Sequence, residues 1–539
     1  MALGYLFLER MQQFRWRICV GLMILLSLHF QAGAETCADL AKLKFPEGSI
    51  EKAEVVTHNS FRQVLNNQPI GELPVFCRVV ATLRPSTDSN IGVEMWLPQS
   101  DWNGRLLGTG SGGFGGFIFY EELASGLRKG YAVVNTDMGL AVPAGKDQAI
   151  FANHPERWID WGYRATHVMT LFAKRLVDAY YGHAASYSYF LGCSTGGDQA
   201  LAEAQRFPED YDGLIGGAPP NNRTGVHLSI LWNFIATHRS PGAYIPPDKA
   251  HMLEKAVVAA CDGLDEVKDG IIADPRRCHF NPATLQCKGS DSDNCLTAEQ
   301  VKTAELLYSG PENPKNHQSL YPGVTFGSEG EWAMTFGPTG SDAPPPFAPI
   351  FEWVFGTHWN WSTFDFDKQA TEFVRELGPS VNSLDPDLDK LETIGHKLLI
   401  YHGWEDPLVI PQASVDYWNA VANRMQAERR HLRRSDGTPD KYYRLFMIPG
   451  MYHCGGGPGA DSFDLLSAMV KWVEQGIAPD QIVATKYDSA GVVQFQRPLC
   501  PYPKYAEYIG HGTSNAATSF ICSSPKTNYA VPHVARSRN

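Results

Sequence analysis

The stretch YFLGCSTGGDQAL, residues 189–201, decides the fold. An apolar and aromatic run over residues 186–191 stops at Gly192, and a helical pattern follows over residues 195–207. Gly-x-Ser-x-Gly between a strand and a helix is how α/β enzymes expose a nucleophilic serine. The first backbone N–H groups of the helix are then available to a developing oxyanion. The stretch therefore predicts Ser194 as a nucleophile on a sharp strand-to-helix turn.

The surrounding chain predicts the type of sheet. Short apolar strands alternate with helical stretches over residues 93–140 and 185–217, and the pattern resumes after about residue 390 with a helix predicted over residues 411–434. This alternation is typical of an open, mostly parallel α/β sheet. Residues 222–389 are instead rich in Pro, Gly, Asn and Trp, and much of that segment fits neither regular pattern. We expect a core of residues 35–221 and 390–539 with 222–389 inserted as a lid; an independent binding module is the alternative.

The N-terminus has the features of a secretory signal. Arg10, Arg15 and Arg17 precede an apolar run over residues 18–30, and the small residues Ala-Gly-Ala follow at 32–34. A membrane anchor is the alternative, but about 13 apolar residues are short for a bilayer. We therefore predict a signal peptide over residues 1–34 and a secreted or periplasmic protein.

Charge and cysteine content agree with an exported protein. The net charge of −12 argues against nucleic acid and against an anionic membrane surface as partners. One of the eleven cysteines, Cys19, lies in the signal segment. The ten that remain are an even number, which in an oxidising compartment indicates disulfides.

The partners of the serine are expected after the lid, in the order acid and then histidine. The strand KLLIY runs into HGWEDP and places Asp406 in the loop that follows, and the strand YYRLFMIPG runs into MYHCGGG and His453. Parallel strands deliver such loops to one edge of the sheet. Glu405 is the alternative acid, and His402 is expected to pack or bond beside the acid. His431 in a basic run, and His511 and His533 in the irregular tail, are weaker candidates for the base.

Two cysteines adjoin this predicted site. Cys193 precedes Ser194, and Cys454 follows His453. A serine and histidine within hydrogen-bond reach, about 3 Å, bring their neighbours close as well. We therefore predict a Cys193–Cys454 disulfide that ties the nucleophile turn to the histidine loop.

Taken together, GCSTGG, HGWEDP and PGMYHCGGGPG resemble the tannase and feruloyl esterase family of α/β-hydrolases, which also includes the mono(2-hydroxyethyl) terephthalate hydrolase. The resemblance implies an α/β-hydrolase core sheet with a large, loop-rich lid. It also implies further disulfides: Cys37–Cys77, Cys261–Cys278, Cys287–Cys295 and Cys500–Cys522. Asp198 departs from the family pattern, where many relatives carry Arg.

A glycine-rich loop allows two interpretations. Gly108, Gly110 and Gly113 match Gly-x-Gly-x-x-Gly and Asp137 ends a later strand, which formally fits a dinucleotide site. The family resemblance instead implies an oxyanion hole, with an N–H near Gly112 or Gly113 joining that of Thr195. Glycine suits such a loop because the backbone approaches the substrate without an intervening Cβ.

An acidic segment in the predicted lid suggests a cation site. CDGLDEVKDGII places Asp262, Asp265 and Asp269 close together, where their oxygens suit Ca²⁺ or form a solvated acidic turn. The family resemblance implies a structural calcium held by these three carboxylates and by the carbonyls of Val267 and Ile271.

The complete prediction is a secreted serine carboxylic ester hydrolase that acts through an acyl-enzyme on esters of aromatic acids, feruloyl or hydroxycinnamoyl in kind. Galloyl esters and terephthalate monoesters are alternative substrates, and a catalytically dead polyphenol- or carbohydrate-binding protein is the alternative of a different class. The expected partner is a small aromatic ester, free or attached to plant polysaccharide or polyphenol; no oligomeric state is predicted. Four lid aromatics are predicted to stack on the substrate ring or else to form lid core: Trp353, Phe355, Trp359 and Trp361.

Overall fold

The computed structural model describes residues 34–63, 66–143, 146–332, 345–432 and 438–525. The predicted signal peptide, apart from its last residue, and His533 lie outside this range. Among the described helices, none is long and apolar enough to cross a membrane.

A nine-stranded sheet forms the core, in the order β1-β2-β3-β5-β4-β6-β7-β8-β9. The strands are β1 Gly48–Val56, β2 Phe76–Leu83, β3 Ile91–Pro98, β4 Arg105–Thr109, β5 Ala132–Thr136, β6 Tyr187–Cys193, β7 Gly213–Gly217, β8 Lys397–Gly403 and β9 Tyr443–Ile448. From β5 to β9 every neighbouring pair is parallel, whereas β1, β2 and β3 add an antiparallel edge. The exchange of β4 and β5 is the crossover of an α/β-hydrolase sheet, so the predicted fold class is confirmed.

Helices cover both faces of the parallel strands. The helices are α1 Tyr120–Arg128, α2 Pro155–Ile159, α3 Ala165–Tyr181, α4 Thr195–Arg206, α5 Arg223–His238, α6 Pro247–Cys261, α7 Ala298–Ser309, α8 Pro349–Phe355, α9 Lys368–Val381, α10 Asp389–Ile394, α11 Gln412–Leu432 and α12 Leu465–Gln475. One π turn, Asp160–Arg164, joins α2 to α3.

Alternation along the strands explains this layering. In β5, Ala132 and Val134 belong to the apolar cluster under α3, α4 and α11, whereas Val133 belongs to the cluster under α1 and α12. In β8, Leu398 and Leu399 divide between the clusters in the same way. Successive side chains of a strand point to opposite faces, and a parallel strand buried on both faces reads as a continuous apolar run.

The lid is inserted between β7 and β8 and contains α5 to α10. The predicted bounds of the insertion, residues 222–389, stay a prediction. It has an apolar cluster of its own, which includes Leu253, Val257 and Trp332. Helix α5 joins the two parts, because Leu228 packs in the sheet cluster and Val226 in the lid cluster.

Beyond the core sheet, the C-terminal segment forms two small hairpins. Their strands are β10 Ile482–Tyr487, β11 Val493–Leu499, β12 Tyr505–Tyr508 and β13 Phe520–Ser523. Five disulfides cross-link the described chain, and their pairings match those expected: Cys37–Cys77, Cys193–Cys454, Cys261–Cys278, Cys287–Cys295 and Cys500–Cys522.

Three glycines allow β4, β6 and the start of α4 to meet at the turn that carries Ser194. A Cβ on Gly110 would lie 2.5 Å from the Cα of Gly196 and 2.8 Å from the Cα of Gly192. These are backbone atoms, which cannot swing aside as a flexible side chain would. The close packing therefore requires glycine at this junction.

We predict that Gly110→Ala lowers the free energy of unfolding by about 1–3 kcal/mol, because overpacking forces a backbone shift. Gly71→Ala is the matched control, since a Cβ at that exposed position meets no atom within 4 Å. Urea denaturation of both variants measures the difference. Equal stabilities would contradict the close packing described here.

Candidate active site

The turn between β6 and α4 holds Ser194 in an unusual backbone conformation, with φ 59° and ψ −122°. Residues other than glycine rarely adopt positive φ, and such strain persists only where surrounding structure enforces it. Here the amide of Ser194 donates to the carbonyl of Gly217 at 2.9 Å, which fixes the turn against β7. The conformation presents the hydroxyl at the end of the strand, as the sequence motif predicts.

A hydrogen-bonded chain links the three predicted catalytic side chains. Nε2 of His453 lies 2.9 Å from Oγ of Ser194, and its Nδ1 lies 2.6 Å from Oδ2 of Asp406. Asp406 follows β8 and His453 follows β9, so both reach the serine at the carboxyl edge of the sheet. The imidazole is therefore placed to accept the serine proton while the carboxylate orients it.

Asp406 is fully buried and still receives four hydrogen bonds. Its Oδ1 accepts from the amides of Leu408 and Val409, at 2.9 and 3.0 Å. Its Oδ2 is shared by His453 and by Nε2 of His402 at 3.2 Å, so His402 bonds beside the acid as expected. Burial alone would raise the pKa of Asp406, but the two histidines outweigh burial and lower it below the usual value.

The contact between Asp406 and His453 raises the pKa of the histidine. Burial disfavours a charged His453, whereas the Asp406 carboxylate raises its pKa above the ordinary value. Neutral imidazole is the form that removes a proton from serine, and the raised pKa makes it a stronger base for that step.

The alternative acid and bases do not join this chain. The carboxylate of Glu405 is buried, and burial followed by nearby glutamates raises its pKa well above the usual value. His511 is exposed in the loop between β12 and β13. The side chain of His431 lies outside the described part of the chain. The geometry thus agrees with the choice of an aspartate and of His453.

The Cys193–Cys454 disulfide lies directly behind the serine and histidine. The two Cα atoms are 6.0 Å apart although 261 residues separate them in sequence. Cys454 has φ 65°, so the backbone is left-handed on both sides of the contact. The bridge therefore couples the nucleophile turn to the histidine loop.

Two loops are placed to stabilise an oxyanion. Within the described residues, the amides of Thr195, Gly112 and Gly113 donate to no protein acceptor. The hydroxyl of Thr195 donates to the carbonyl of Gly113 at 2.5 Å, which holds the glycine loop against the start of α4. This contact brings the predicted oxyanion residues together.

Asp198 has a partner that the sequence did not indicate. Its Oδ2 accepts from Nη2 of Arg223 at 3.1 Å, and Nη1 of the same guanidinium donates to the Thr195 hydroxyl at 3.1 Å. Arg223 also stacks over Trp161 at 4.6 Å and is buried. The first residue of lid helix α5 therefore supports the oxyanion loop through Thr195.

A cavity of about 490 Å³ opens onto Ser194 and His453. Its aromatic walls come from both the core and the lid: Phe114, Phe119, Trp161 and Phe347. One face of α5 completes it with Arg223, Val226, His227 and Ile230. Cavities of this size and apolar character accommodate small organic ligands.

The four lid aromatics predicted to stack on substrate do not line this cavity. Trp353 is buried and its Nε1 donates to the carbonyl of Gln148 at 2.7 Å. Phe355 packs near Phe364, Trp359 stacks on Phe351 at 4.8 Å, and Trp361 meets Phe234 edge-on. Trp353 packs against the core aromatics Phe114 and Trp161, whereas the other three pack against aromatic residues of the lid, so the packing favours a structural role for all four.

Sequence reasoning missed the actual cavity walls. The signal that was present is the i, i+3, i+4, i+7 spacing of Arg223, Val226, His227 and Ile230, which predicts a shared helix face. For Phe114, Trp161 and Phe347, which lie far apart in sequence, no local pattern indicates a common site.

The glycine-rich loop does not form a dinucleotide fold. Gly108 lies inside β4, and α1 begins at Tyr120 rather than at the loop. The carboxylate of Asp137 accepts hydrogen bonds from the backbone amides of Gly92 and Gly139. The loop instead contacts Thr195 at the catalytic serine, which makes the dinucleotide interpretation wrong.

In the acidic lid loop, residues 262–271, backbone amides donate hydrogen bonds to the carboxylates. Oδ1 of Asp262 accepts from the amides of Asp269, Gly270 and Ile271, and Oδ1 of Asp265 accepts from that of Val267. Burial, with the neighbouring carboxylates, raises the pKa of Asp265 to about 6.

Oxygen donors of this kind suit Ca²⁺, but their spacing is wider than a shared ion requires. Among the described residues, Asp262, Asp265 and Asp269 do not form a group whose ligand atoms all lie within 4.8 Å of one another. Nη2 of Arg497 also lies 2.5 Å from Oδ2 of Asp269. The chemistry of the donor set fits calcium, whereas convergence on an ion requires these side chains to turn inward.

The sheet order, the strained serine turn and the Ser–His–Asp chain define an α/β-hydrolase with a serine-hydrolase site. The family model described as tannase and feruloyl esterase matches residues 77–523. An uncharacterised esterase of Xanthomonas campestris pv. campestris is 36% identical, with 94% of each chain covered. A probable feruloyl esterase B-2 of Aspergillus terreus is 34% identical, covering 83% of this chain and 86% of that protein.

Solved structures agree with these relatives. Feruloyl esterase B from Aspergillus oryzae has a TM-score of 0.80 and 30% identity over 90% of this chain and 99% of its own. Tannin acyl hydrolase from Aspergillus niger has a TM-score of 0.71 at 22% identity, over 89% and 92%, a likeness of fold. The chain belongs to the tannase and feruloyl esterase family and is a carboxylic ester hydrolase.

We predict that Asp406→Asn lowers kcat by about 10³- to 10⁴-fold, because the imidazole loses its orienting anion. In the unaltered enzyme kcat/KM will fall as pH drops through the raised pKa of His453. Removing the carboxylate lowers that pKa, so the acid limb of the residual activity will move to lower pH.

Rate profiles between pH 4 and 9 measure both effects. Asp480→Asn is the control, since that aspartate is exposed and pairs only with Arg444 among the contacts described. An acid limb that stays in place after Asp406→Asn would contradict the electrostatic assignment.

Proposed function

We propose that this protein hydrolyses feruloyl and related hydroxycinnamoyl esters through an acyl-enzyme. The observation that carries the proposal is the Ser194–His453–Asp406 chain at a cavity of about 490 Å³ with aromatic walls. An aromatic acyl group fills such a cavity, and the ester carbon then lies beside the serine hydroxyl. Relatives named feruloyl esterases at 30–34% identity support this choice of acyl group.

In the first half-reaction, the Ser194 hydroxyl attacks the ester carbonyl and its proton passes to Nε2 of His453. Asp406 stabilises the imidazolium that forms. Collapse of the tetrahedral intermediate transfers this proton to the leaving alcohol. A water activated by the same imidazole then releases the acid and restores the serine.

The oxyanion of the intermediate accepts hydrogen bonds from the amide of Thr195 and from that of Gly112 or Gly113. These donors are fixed before substrate arrives, because the Thr195 hydroxyl holds the glycine loop. Preorganised donors of this kind are worth about 10²–10³ in kcat each.

The cavity favours a feruloyl over a galloyl group. Galloyl carries three ring hydroxyls, and each would need a polar partner on burial. The lining surface is mainly apolar, and its polar side chains away from the catalytic residues include Glu122, Arg223, His227 and Tyr401. A ring with one hydroxyl and one methoxyl matches that balance better.

The alcohol portion of the substrate is proposed to remain outside the cavity. A plant polysaccharide or polyphenol is far larger than about 490 Å³. Export of the enzyme would bring it to such substrates. Five disulfides support an oxidising compartment, in line with the N-terminal signal sequence.

We predict that the enzyme hydrolyses methyl ferulate more efficiently than methyl gallate or a terephthalate monoester. Ser194→Ala should abolish turnover without lowering Tm, because the nucleophile is lost while the packing is kept. Initial rates and thermal melts measure both effects, with Ser489→Ala in an exposed turn as the control.

Two outcomes would contradict these assignments separately. Substantial turnover by a folded Ser194→Ala protein would exclude that serine as the nucleophile. A preference for methyl gallate would contradict the feruloyl assignment and leave the proposed mechanism unchanged.

We also propose that the loop from Asp262 to Ile271 binds a structural calcium. The carboxylates of Asp262, Asp265 and Asp269 and the carbonyls of Val267 and Ile271 would hold it. Oxygen donors and the mutual repulsion of partly buried carboxylates support the proposal. Bound calcium would order the lid at a distance from Ser194, without a role in the chemistry.

We predict that saturating Ca²⁺ raises Tm, because a ligand present at 100 times its Kd stabilises the folded state by about 2.7 kcal/mol. A chelator should reverse the shift, and Asp265→Asn should reduce the response to both. Calorimetry with metal analysis of the purified enzyme provides the measurement. If the purified protein contains no metal and its Tm does not change with Ca²⁺, the calcium proposal is wrong and the loop is a solvated acidic turn.

A further inference from the structure

The cavity wall contains an imidazole, that of His227, which has no role in the proposed mechanism. His227 lies on the cavity-lining face of α5, and only 3% of its surface is exposed to solvent. Within the described residues, neither ring nitrogen has a hydrogen-bond partner. Buried polar groups in native proteins are nearly always paired, so an unpaired imidazole at a ligand cavity needs an explanation.

The imidazole is held firmly by its neighbours. Its ring stacks on Phe114 with centroids 6.0 Å apart and an interplanar angle of 13°. Phe347 meets it at 66° with centroids 5.7 Å apart. Phe114 belongs to the glycine-rich core loop and Phe347 to the lid, so the ring is fixed between the two parts of the enzyme.

Position along the helix relates His227 to the reacting atoms. Arg223, one turn earlier on the same face, contacts Thr195 at the oxyanion hole. Four residues of helix advance by about 6 Å. His227 therefore lies about one helical turn beyond the residue that contacts Thr195, in the wall of the cavity that opens onto Ser194.

The protonation state of His227 determines which hydrogen bonds its imidazole can make. Burial, and then the nearby charge of Arg223, lowers the pKa of His227 well below its ordinary value. A neutral imidazole has one N–H donor and one acceptor nitrogen. It can therefore accept from a phenol and donate to a hydroxyl or methoxyl oxygen.

We propose that His227 determines acyl specificity by hydrogen-bonding an oxygen substituent on the ring of the bound aromatic acid. The proposal rests on the proposed function and narrows its substrate class to hydroxylated aromatic acyl groups. An acyl ring without such a substituent leaves the imidazole unpaired, and a site with unpaired polar groups discriminates against that ligand. His227 is a specificity residue, and the bond-breaking steps do not depend on it.

The test compares two esters that differ by one ring hydroxyl, methyl 4-hydroxycinnamate and methyl cinnamate. Each kcat/KM is divided by the rate of alkaline hydrolysis of the same ester, which removes the electronic effect of the hydroxyl. The unaltered enzyme should favour the hydroxylated ester by about 10-fold or more. Equal corrected values would overturn the proposal.

The first variant is His227→Phe, which keeps an aromatic ring between Phe114 and Phe347 and removes both nitrogens. The variant should lose about 10-fold more in kcat/KM for the hydroxylated ester than for methyl cinnamate. An equal loss for both esters would mean that His227 is only structural, and no loss for either would mean that it does not contact the substrate.

A second variant tests the proposal if His227→Phe does not fold. His227→Gln keeps one donor and one acceptor, and it should retain part of the preference for the hydroxylated ester. A folded Gln variant with unchanged discrimination or with equal losses on both esters would overturn the proposal. If the unaltered enzyme hydrolyses neither cinnamate ester nor methyl ferulate, the proposed function fails, an outcome distinct from lost selectivity.

Discussion

The contact that the active site depends on most is the Cys193–Cys454 bridge, which places the serine and histidine loops side by side. It closes a loop of 261 residues that contains the whole lid. In the chain-entropy account, a cross-link of that length stabilises the folded state by on the order of 5 kcal/mol. Because the bridge joins the residues adjacent to Ser194 and His453, it reinforces the 2.9 Å contact that the sheet brings about.

Two neighbouring carboxyls show how the site controls charge. Asp406 and Glu405 are both buried, but two amides and two imidazoles bond Asp406 and stabilise its anion. Glu405 lacks these four partners and lies near Glu329, whose pKa burial raises to about 8. The pKa of one carboxyl is thus lowered beside the base, and the pKa of its neighbour is raised by burial and by nearby glutamates.

Helix α5 makes the lid part of the active site. Arg223 at its first turn links Asp198 of α4 with the Thr195 hydroxyl, and that hydroxyl holds the glycine loop. The next turns of the same face line the cavity. Support of the oxyanion loop and selection of the acyl group are therefore carried by one helix, which couples substrate choice to catalytic geometry.

The sequence by itself determined what depends on local pattern. Ser194, Asp406 and His453 each follow an apolar strand, and parallel strands end at one edge, so their meeting was predictable. The cysteine pair followed because each is adjacent to one of these residues. Only the tertiary structure decided which side chains form the cavity. Phe114, Trp161, His227 and Phe347 converge from distant segments, whereas Trp359 and Trp361 pack on other lid aromatics away from the cavity. A sequence shows that a residue is apolar, but whether it faces substrate or core depends on how the lid packs on the sheet.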